Sequence, residues 1–223
     1  MAELPLYILR ETLRILGMDE PDYDFTIRAE RLYVRLLEAS SPKHVIARVN
    51  ISLDGDETNF GAFSVKSANL AKLFHYCKAC VLIASTLGAG VDRLVSRVQK
   101  EDMTDAVILD ALASALADSR CDEAENEAAA SLSGGEHFTM RFSPGYGDVP
   151  LDASRDIIAA LDATRAIGLS MTSSNMLIPI KSVTAFVGIA DRKEETCDSC
   201  SLCPVTEPCI YRKKGDPCGV HDK

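Results

Sequence analysis

Two stretches of the 223-residue chain carry side chains whose types and spacing could do chemistry. The first is the string RFSPGYG at 141–147. Its Arg141 offers a planar guanidinium that suits a carboxylate, and its Tyr146 offers a flat aromatic face and a hydroxyl. Gly145 and Gly147 permit backbone conformations that bring amide groups close to a ligand, and Pro144 stiffens the loop, so that less freedom is lost on binding. Together these groups suit a small ligand with a carboxylate and an aromatic or cationic group, although a plain turn with a surface ion pair can have the same residues.

The second stretch is a cysteine cluster near the end of the sequence. Five of the eight cysteines have the spacing C-x2-C-x2-C-x5-C-x8-C, namely Cys197, Cys200, Cys203, Cys209 and Cys218. Four thiolates in a short span can hold zinc or an iron–sulfur cluster. The opening resembles a bacterial ferredoxin run, but five residues rather than three precede Cys209, and Ile210 rather than proline follows it. Metal or cluster binding is favoured over inert thiols.

Other motifs have simpler explanations. Cys77 and Cys80 form a C-x-x-C pair, but they lead into an apolar run and are predicted to be packed thiols. The turn at 86–90 lacks both the G-x-G-x-x-G pattern and a P-loop lysine, so it is interpreted as a tight turn. The four histidines are scattered, and no acid, base or nucleophile stands out.

The elements that must position these residues follow from hydrophobic periodicity. Leu6, Leu9, Leu13 and Leu16 predict an amphipathic helix over 3–16 that ends at Gly17. Further helices are predicted over 25–39, 67–77, 91–98 and 105–130, and from Pro150 through Leu161 to a stop at Gly168. Strands are predicted at 45–53, 62–65, 80–84, 137–142, 169–172 and 182–189, the first two forming a hairpin. The mixture predicts an α+β fold, with a mixed or antiparallel sheet and flanking helices.

Composition narrows the class of protein. A net charge of -9 argues against nucleic acid as the main partner, because phosphates need a basic surface. The N-terminal segment mixes charged and apolar residues, unlike a signal peptide, and the apolar stretch at 79–91 is shorter than the roughly 20 residues of a membrane span. We expect a cytoplasmic protein with no membrane partner, whose main domain covers 1–190 and whose cysteine-rich tail covers 191–223.

An ordered series of segments resembles the S-adenosylmethionine-binding reactivation domain of vitamin B12-dependent methionine synthase. The loop at 141–150 matches that family's R-x-x-x-G-Y signature, and 156–162 matches the helix after it. The segment 168–172, followed by Met176, Pro179, Ser182 and Val183, is similar to the family's next strand pair. Upstream, 81–94 and the long helix around 110–111 are similar to its middle segment. The resemblance therefore spans about 81–189 and implies the activation-domain fold, in a stand-alone form.

The resemblance also implies a set of ligand-binding residues. Arg141 would pair with the methionyl carboxylate, and Gly145 and Tyr146 would shape the adenosyl pocket, with Pro144 and Gly147 in the same loop. Asn175, in the segment 175–179, would belong to a further wall. The chain departs from the family at two positions, which usually hold glutamate in place of Ser173 and an aromatic residue in place of Asn175.

The implied activity is the rescue of an oxidised cobalamin on a partner, which is a cobalamin-binding methionine synthase or another corrinoid protein. A donor such as a flavodoxin or ferredoxin would supply an electron, and the methyl group of S-adenosylmethionine would trap the product as methylcobalamin. The chain would then be an accessory component that holds the methyl donor in place. Two alternatives stay open: a redox or metal-binding module that works through the cysteines, and a cobalamin-independent methyltransferase, which the missing glycine fingerprint disfavours.

Overall fold

The computed structural model describes residues 3–191, in which helices and strands alternate irregularly. The helices are α1 Leu6–Leu16, α2 Tyr23–Ala39, α3 Ala68–Leu73, α4 Ala89–Glu101, α5 Met103–Ala129, α6 Ala153–Ala160 and α7 Ala163–Ile167. The strands are β1 Lys43–Asn50, β2 Ser52–Asp54, β3 Glu57–Asn59, β4 Ser64–Lys66, β5 Cys77–Thr86, β6 His137–Phe138, β7 Ser170–Met171, β8 Leu177–Ile178 and β9 Ser182–Ala190.

The strands form three sheets. The largest has the order β1-β5-β9-β6, and β6 pairs antiparallel with β9. A three-stranded antiparallel sheet has the order β2-β3-β4, and β7 and β8 form an antiparallel pair. Strand β5 is buried along almost its whole length, which explains why its sequence is a continuous apolar run rather than an alternating one. These observations confirm the predicted α+β class.

The chain divides into two compact units, each assembled from separate segments. Within the described residues, the first unit contains 3–45, 84–126 and 162–183, and the second contains 46–83, 127–161 and 184–191. The chain therefore passes repeatedly from one unit to the other, and strands β1, β5 and β9 each contain residues of both.

The core of the first unit is formed by helices α1, α2, α4 and the N-terminal part of α5. Its centre includes Ile8, Leu32, Leu36, Leu109 and Leu112, all with no exposed surface. The face that α1 buries differs from the predicted one, because Leu6 is 60% exposed while Ile8 and Thr12 are fully buried. Thr12 is tolerated there because its hydroxyl donates a 2.7 Å hydrogen bond to the carbonyl oxygen of Ile8.

Asp105 links two helices in the first unit. Its carboxylate, near the start of α5, accepts hydrogen bonds from Arg28 at 2.9 Å and from Arg31 at 2.5 Å, both on α2. The carboxylate is only 9% exposed, so two arginines compensate for most of its lost hydration.

The core of the second unit contains a group of aromatic rings. Phe60 stacks on Phe63 at a centroid distance of 4.9 Å and on Phe186 at 5.0 Å, and it meets Phe74 edge-on at 6.4 Å. Helix α3 packs against β3, whose central residue, Thr58, is fully buried. This unit carries the 141–147 string.

Several element boundaries differ from the predicted ones. The predicted hairpin between 45–53 and 62–65 does not form directly. Strand β2, just before the Asp54-Gly55 turn, pairs with β3, a three-residue strand that periodicity missed, and β4 pairs with the other side of β3. The predicted helix after Pro150 begins only at Ala153 and is interrupted at Asp162, whose backbone is left-handed with φ 48°. Strand β6 ends at Phe138, although the Thr139 amide still donates to the Gly188 carbonyl of β9, and Phe142 rejoins the sheet through a single bridge to Phe186.

Among residues 3–191, no helix is both long enough and apolar enough to cross a bilayer.

Candidate functional site

The loop that carries the predicted ligand-binding residues starts from a fixed point on β9. Phe142 and Phe186 exchange two backbone hydrogen bonds, from the Phe142 amide at 2.9 Å and from the Phe186 amide at 2.8 Å. The Phe142 side chain is 4% exposed and so belongs to the core of the second unit. Arg141 directly precedes this anchor and is half-buried. The guanidinium is thus attached to a rigid part of the backbone.

Three backbone hydrogen bonds close the loop on itself. The Tyr146 amide donates to the Ser143 carbonyl at 3.1 Å, and the Gly145 amide donates to the Val149 carbonyl at 3.0 Å. The Val149 amide in turn donates to the Tyr146 carbonyl at 3.0 Å. Gly145 has φ 92°, a conformation that L side chains rarely adopt, so this fold of the loop depends on glycine. Pro144 and Val149 are buried beneath it.

Tyr146 lies at the outer surface of the loop. Its side chain is 65% exposed, and its ring centroid lies 6.3 Å from that of Phe142 in a tilted arrangement. The same short segment therefore carries a large exposed aromatic ring, which can stack on a flat ligand group, and the half-buried Arg141, whose guanidinium can donate paired hydrogen bonds.

The loop is also attached to the start of helix α3. Asp148 accepts backbone hydrogen bonds from Ala68 at 2.8 Å and Asn69 at 3.2 Å, and it accepts a third from the Ser67 hydroxyl. Burial raises the pKa of the Asp148 carboxyl, but the hydrogen bonds from Ser67, Ala68 and Asn69 outweigh that effect and leave the pKa below its ordinary value. The carboxylate is therefore charged at neutral pH.

Gly147 shows how closely the loop approaches α3. Its φ is 55°, and a Cβ atom at this position would lie 2.3 Å from the side-chain amide nitrogen (Nδ2) of Asn69 and 3.2 Å from the Phe142 ring. No side chain fits there without a shift of its neighbours. The sequence argument placed Gly147 in the loop but assigned no role to Asn69 or Asp148. The signal that could have found them is Ser67, whose hydroxyl suits an N-cap at the start of the helix predicted over 67–77, with an aspartate in the loop available to complete the cap.

Asn175 lies in the first unit, in the turn between β7 and β8. Its φ is 63°, and its amide donates to the Thr172 carbonyl at 3.1 Å. The Thr172 amide and the Met176 carbonyl complete the turn with a 2.8 Å hydrogen bond. Asparagine is among the few side chains that adopt left-handed backbone readily, so the residue suits this turn. The other five predicted binding residues share one loop of the second unit.

Two surface clefts lie within the second unit. One, of about 460 Å³, lies between the β2–β3 turn and helix α3, and its lining includes Asp56, Lys72 and His75. The other, of about 300 Å³, lies between β4 and the start of α6 and includes Lys66 and Arg155. Within the described part of the chain, the linings of these two clefts contain neither Arg141 nor Tyr146.

The cysteines divide into two groups. Cys77 and Cys80 are 8% and 0% exposed, and burial raises the pKa of the Cys80 thiol far above its ordinary value, which fits packed thiols. The predicted metal ligands Cys197, Cys200, Cys203, Cys209 and Cys218 all lie outside the described residues. Within residues 3–191, no group of three or more histidine, cysteine or acidic side chains is arranged to hold a metal ion.

Comparison with known proteins gives a structural likeness but no sequence match. No protein-family model matches the chain, and no curated protein sequence matches it significantly. A solved structure, the MetH reactivation domain bound to AdoHcy, is similar over 96% of this chain and 85% of its own, with a TM-score of 0.61 and 15% sequence identity. The chain has the fold of the MetH reactivation domain. The likeness covers nearly the whole chain, including regions N-terminal to residue 81, where the sequence resemblance is looser.

Proposed function

We propose that the chain binds S-adenosylmethionine through the 141–147 loop and supports reductive methylation of cobalamin on a partner protein. One observation carries the proposal. The R-x-x-x-G-Y string forms a closed, anchored loop on a reactivation-domain fold, and the similar solved structure holds AdoHcy. AdoHcy is S-adenosylmethionine without its sulfonium methyl group, so one site can accept both molecules.

The loop residues fit the parts of this ligand. The half-buried Arg141 guanidinium suits the methionyl carboxylate, since its planar fork can donate two parallel hydrogen bonds. The exposed Tyr146 ring and the backbone around Gly145 and Gly147 suit the adenosyl group, which needs flat contact area and nearby amide groups. Asn175 is included in the proposed site on the sequence resemblance alone.

The reaction proposed for the complex transfers one electron and one methyl group to the partner's cobalamin. An electron from a flavodoxin- or ferredoxin-type donor reduces cobalt(II) to cobalt(I) in the partner's cobalamin, which is the substrate. The cobalt(I) electron pair attacks the methyl carbon, the carbon–sulfur bond breaks, and AdoHcy and methylcobalamin are the products. The partner is a cobalamin-binding methionine synthase or another corrinoid protein. No proton is transferred, so this chain needs only to orient the sulfonium methyl group.

Calorimetric titration with S-adenosylmethionine tests the proposal. Replacing Arg141 by alanine removes a charge-assisted contact worth roughly 1.5–3 kcal/mol and should weaken binding about ten- to a hundredfold. Arg141→Lys should recover only part of the affinity, because lysine keeps the charge but not the fork. The control is Arg165→Ala, which removes an 86% exposed arginine from the first unit and should leave the affinity unchanged.

Two outcomes would contradict the proposal. Failure of the folded wild-type protein to bind S-adenosylmethionine would overturn it. Methyl transfer to a small molecule without any corrinoid protein would instead favour an ordinary S-adenosylmethionine-dependent methyltransferase.

The cysteine tail motivates a second candidate function. We propose that Cys197, Cys200, Cys203, Cys209 and Cys218 supply ligands for zinc or an iron–sulfur cluster, because the spacing brings at least four thiolates into 22 residues, from 197 to 218. A cluster there would have a visible absorption band, whereas zinc would be colourless and detectable by elemental analysis. Both measurements should be made on anaerobically purified protein and on Cys200→Ser. Protein without metal or colour, in both forms, would contradict this candidate.

A further inference from the structure

Asp148 connects the proposed ligand loop to a helix 80 residues earlier in the sequence. It lies directly after the 141–147 string and is not one of the proposed ligand contacts. Its two carboxylate oxygens accept hydrogen bonds from the Ser67 hydroxyl, the Ala68 amide and the Asn69 amide. The loop therefore supplies the carboxylate that the first turn of α3 lacks in its own sequence.

Helix α3 depends on that carboxylate. The helix has only six residues, and the first amides of any helix have no partner within it. Ser67 caps the Leu70 amide at 3.0 Å, which leaves the amides of Ala68 and Asn69 for Asp148. A negative charge at a helix N-terminus is favourable, so the loop and the helix stabilise each other.

The loop packs closely against the start of α3. A Cβ on Gly147 would lie 2.3 Å from Asn69, and the three backbone hydrogen bonds of the loop extend from Ser143 to Val149. Fixing Gly147 and Asp148 on α3 therefore also fixes Gly145 and Tyr146. The Phe142 bridge holds the loop at its other end.

We infer that Asp148 is a positioning residue, which holds the 143–149 loop on the N-terminus of α3 in the conformation that it presents to the ligand. The inference rests on the proposed binding of S-adenosylmethionine, and it deepens that proposal by naming the residue that orders the site. Asp148 acts through Gly145 and Tyr146 and need not contact the ligand.

A tryptophan reporter tests the ordering of the loop without any ligand. The chain contains no tryptophan, so Leu151→Trp introduces a single tryptophan, whose emission can be excited apart from that of the six tyrosines. Leu151 is 49% exposed, and its Cδ1 would lie 3.2 Å from a Cβ on Gly145, which places it against the loop. Adding Asp148→Ala should raise quenching by acrylamide and lower the fluorescence anisotropy, while the far-ultraviolet circular dichroism stays that of a folded protein. The control is Asp152→Ala, which removes a nearby aspartate whose side chain makes no capping hydrogen bond to α6.

Binding measurements on protein without the reporter complete the test. Asp148→Ala should weaken S-adenosylmethionine binding about tenfold at a temperature where all variants are folded, and Asp148→Asn, which keeps one acceptor oxygen, should weaken it less. In a Ser67→Ala background the effect of Asp148→Ala should shrink, because the two side chains share one network. A purely structural role would lower the unfolding midpoint but leave the affinity and the quenching of the folded protein unchanged.

The outcomes separate this inference from the proposed function. Equal quenching in the Asp148→Ala and Asp152→Ala proteins overturns the inference whether or not the ligand binds. Wild-type binding with unchanged affinity in Asp148→Ala overturns the inference and leaves the proposed function standing. If the wild-type protein does not bind, the proposed function fails, and quenching alone then decides whether Asp148 holds the loop.

Discussion

Lys181 and Asp110 form an ion pair of 2.8 Å within the first unit. The same ammonium donates to the Asp110 carbonyl at 3.1 Å and to the Ser114 hydroxyl at 2.9 Å, and the Lys181 side chain is 11% exposed. The backbone around it is held as well, since the Leu87 amide donates to the Lys181 carbonyl at 2.9 Å and the Ile180 amide donates to Asp92 at 2.9 Å. These contacts anchor the segment that follows the β7–β8 hairpin.

Replacing Lys181 by methionine should lower the free energy of unfolding by about 1–2 kcal/mol. Methionine can keep the apolar packing of the side chain, and Asp110 remains hydrated because its side chain is 54% exposed, so the loss comes mainly from the three contacts. Urea unfolding measures it. Lys78→Met is the matched control, because Lys78 is 88% exposed and lies 3.6 Å from Asp191; it should change stability by about 0–0.5 kcal/mol. Equal losses of unfolding free energy in the two variants would show that the contacts of Lys181 stabilise the protein no more than an exposed ion pair does.

Gly147→Ala should destabilise the protein by about 1–2 kcal/mol or more, because alanine is unfavourable at positive φ. The added methyl group would also meet Asn69. Adding Asn69→Ala should recover the part due to this clash but not the part due to the backbone. Gly134→Ala is the control, since a Cβ there meets nothing within 4 Å. Thermal or urea unfolding of the four proteins tests this, and a neutral Gly147→Ala would contradict the close approach of loop and helix.

The Arg48–Glu136 ion pair should make stability depend on pH. Arg48 donates to both Glu136 oxygens, at 3.1 and 2.6 Å, and the Ser133 amide donates to Glu136 at 2.8 Å. Hydrogen bonding to Arg48, followed by that to Ser133, lowers the pKa of Glu136 from 4.5 to about 2. A carboxyl with a lowered folded-state pKa stabilises the protein fully above its unfolded pKa, and that contribution is lost as the pH falls towards the folded pKa.

Arg48→Gln should therefore lower the urea midpoint at about pH 6 more than at about pH 3, with the two proteins converging as Glu136 is protonated. Added salt should reduce the difference at the higher pH, because the pair is at the surface. A difference that does not change with pH would mean that Arg48 acts through packing rather than through its charge.

Asn175→Ala should lower the thermal midpoint, whereas Asn175→Gly should be tolerated. The left-handed conformation at φ 63° costs an alanine roughly 1 kcal/mol but costs a glycine little. Ser173→Ala, at an exposed position of the same turn, is the control and should have little effect. If Asn175→Ala were as stable as the wild type, the left-handed turn would not be the reason for asparagine at this position.

The parts of the fold that the sequence predicts well are those with long apolar patterns. Helices α2 and α4 bury one apolar face at helical spacing, and strands β5 and β9 are buried along most of their length, so these elements lie close to their predicted positions, as does α5. The Gly17 stop was also predicted, and the residue adopts φ 68° at the end of α1. By contrast, β3 and β8 have three and two residues, too few for a period to be visible. Their partners β2, β4 and β7 lie close by in the sequence, so the pairing depends on the turns between the strands rather than on a repeating apolar face.

The residues of the candidate site also differ in whether the sequence alone could predict them. Arg141, Gly145 and Tyr146 could be chosen from the sequence because their chemistry is visible in the residue types. Asp148 could not, because its importance comes from the amides of Ala68 and Asn69, which lie 80 and 79 residues away in the sequence. The resemblance to the reactivation domain indicated the correct fold because it used the order of several segments, which no single motif provides.

The interleaving of the two units has a genetic consequence. Within residues 3–191, each unit is assembled from segments that alternate along the chain, at 3–45, 46–83, 84–126, 127–161, 162–183 and 184–191. No single cut in the sequence separates one unit from the other, so a single crossover could not transplant either one intact. During evolution, this region would be inherited, fused to other domains or lost as one indivisible module.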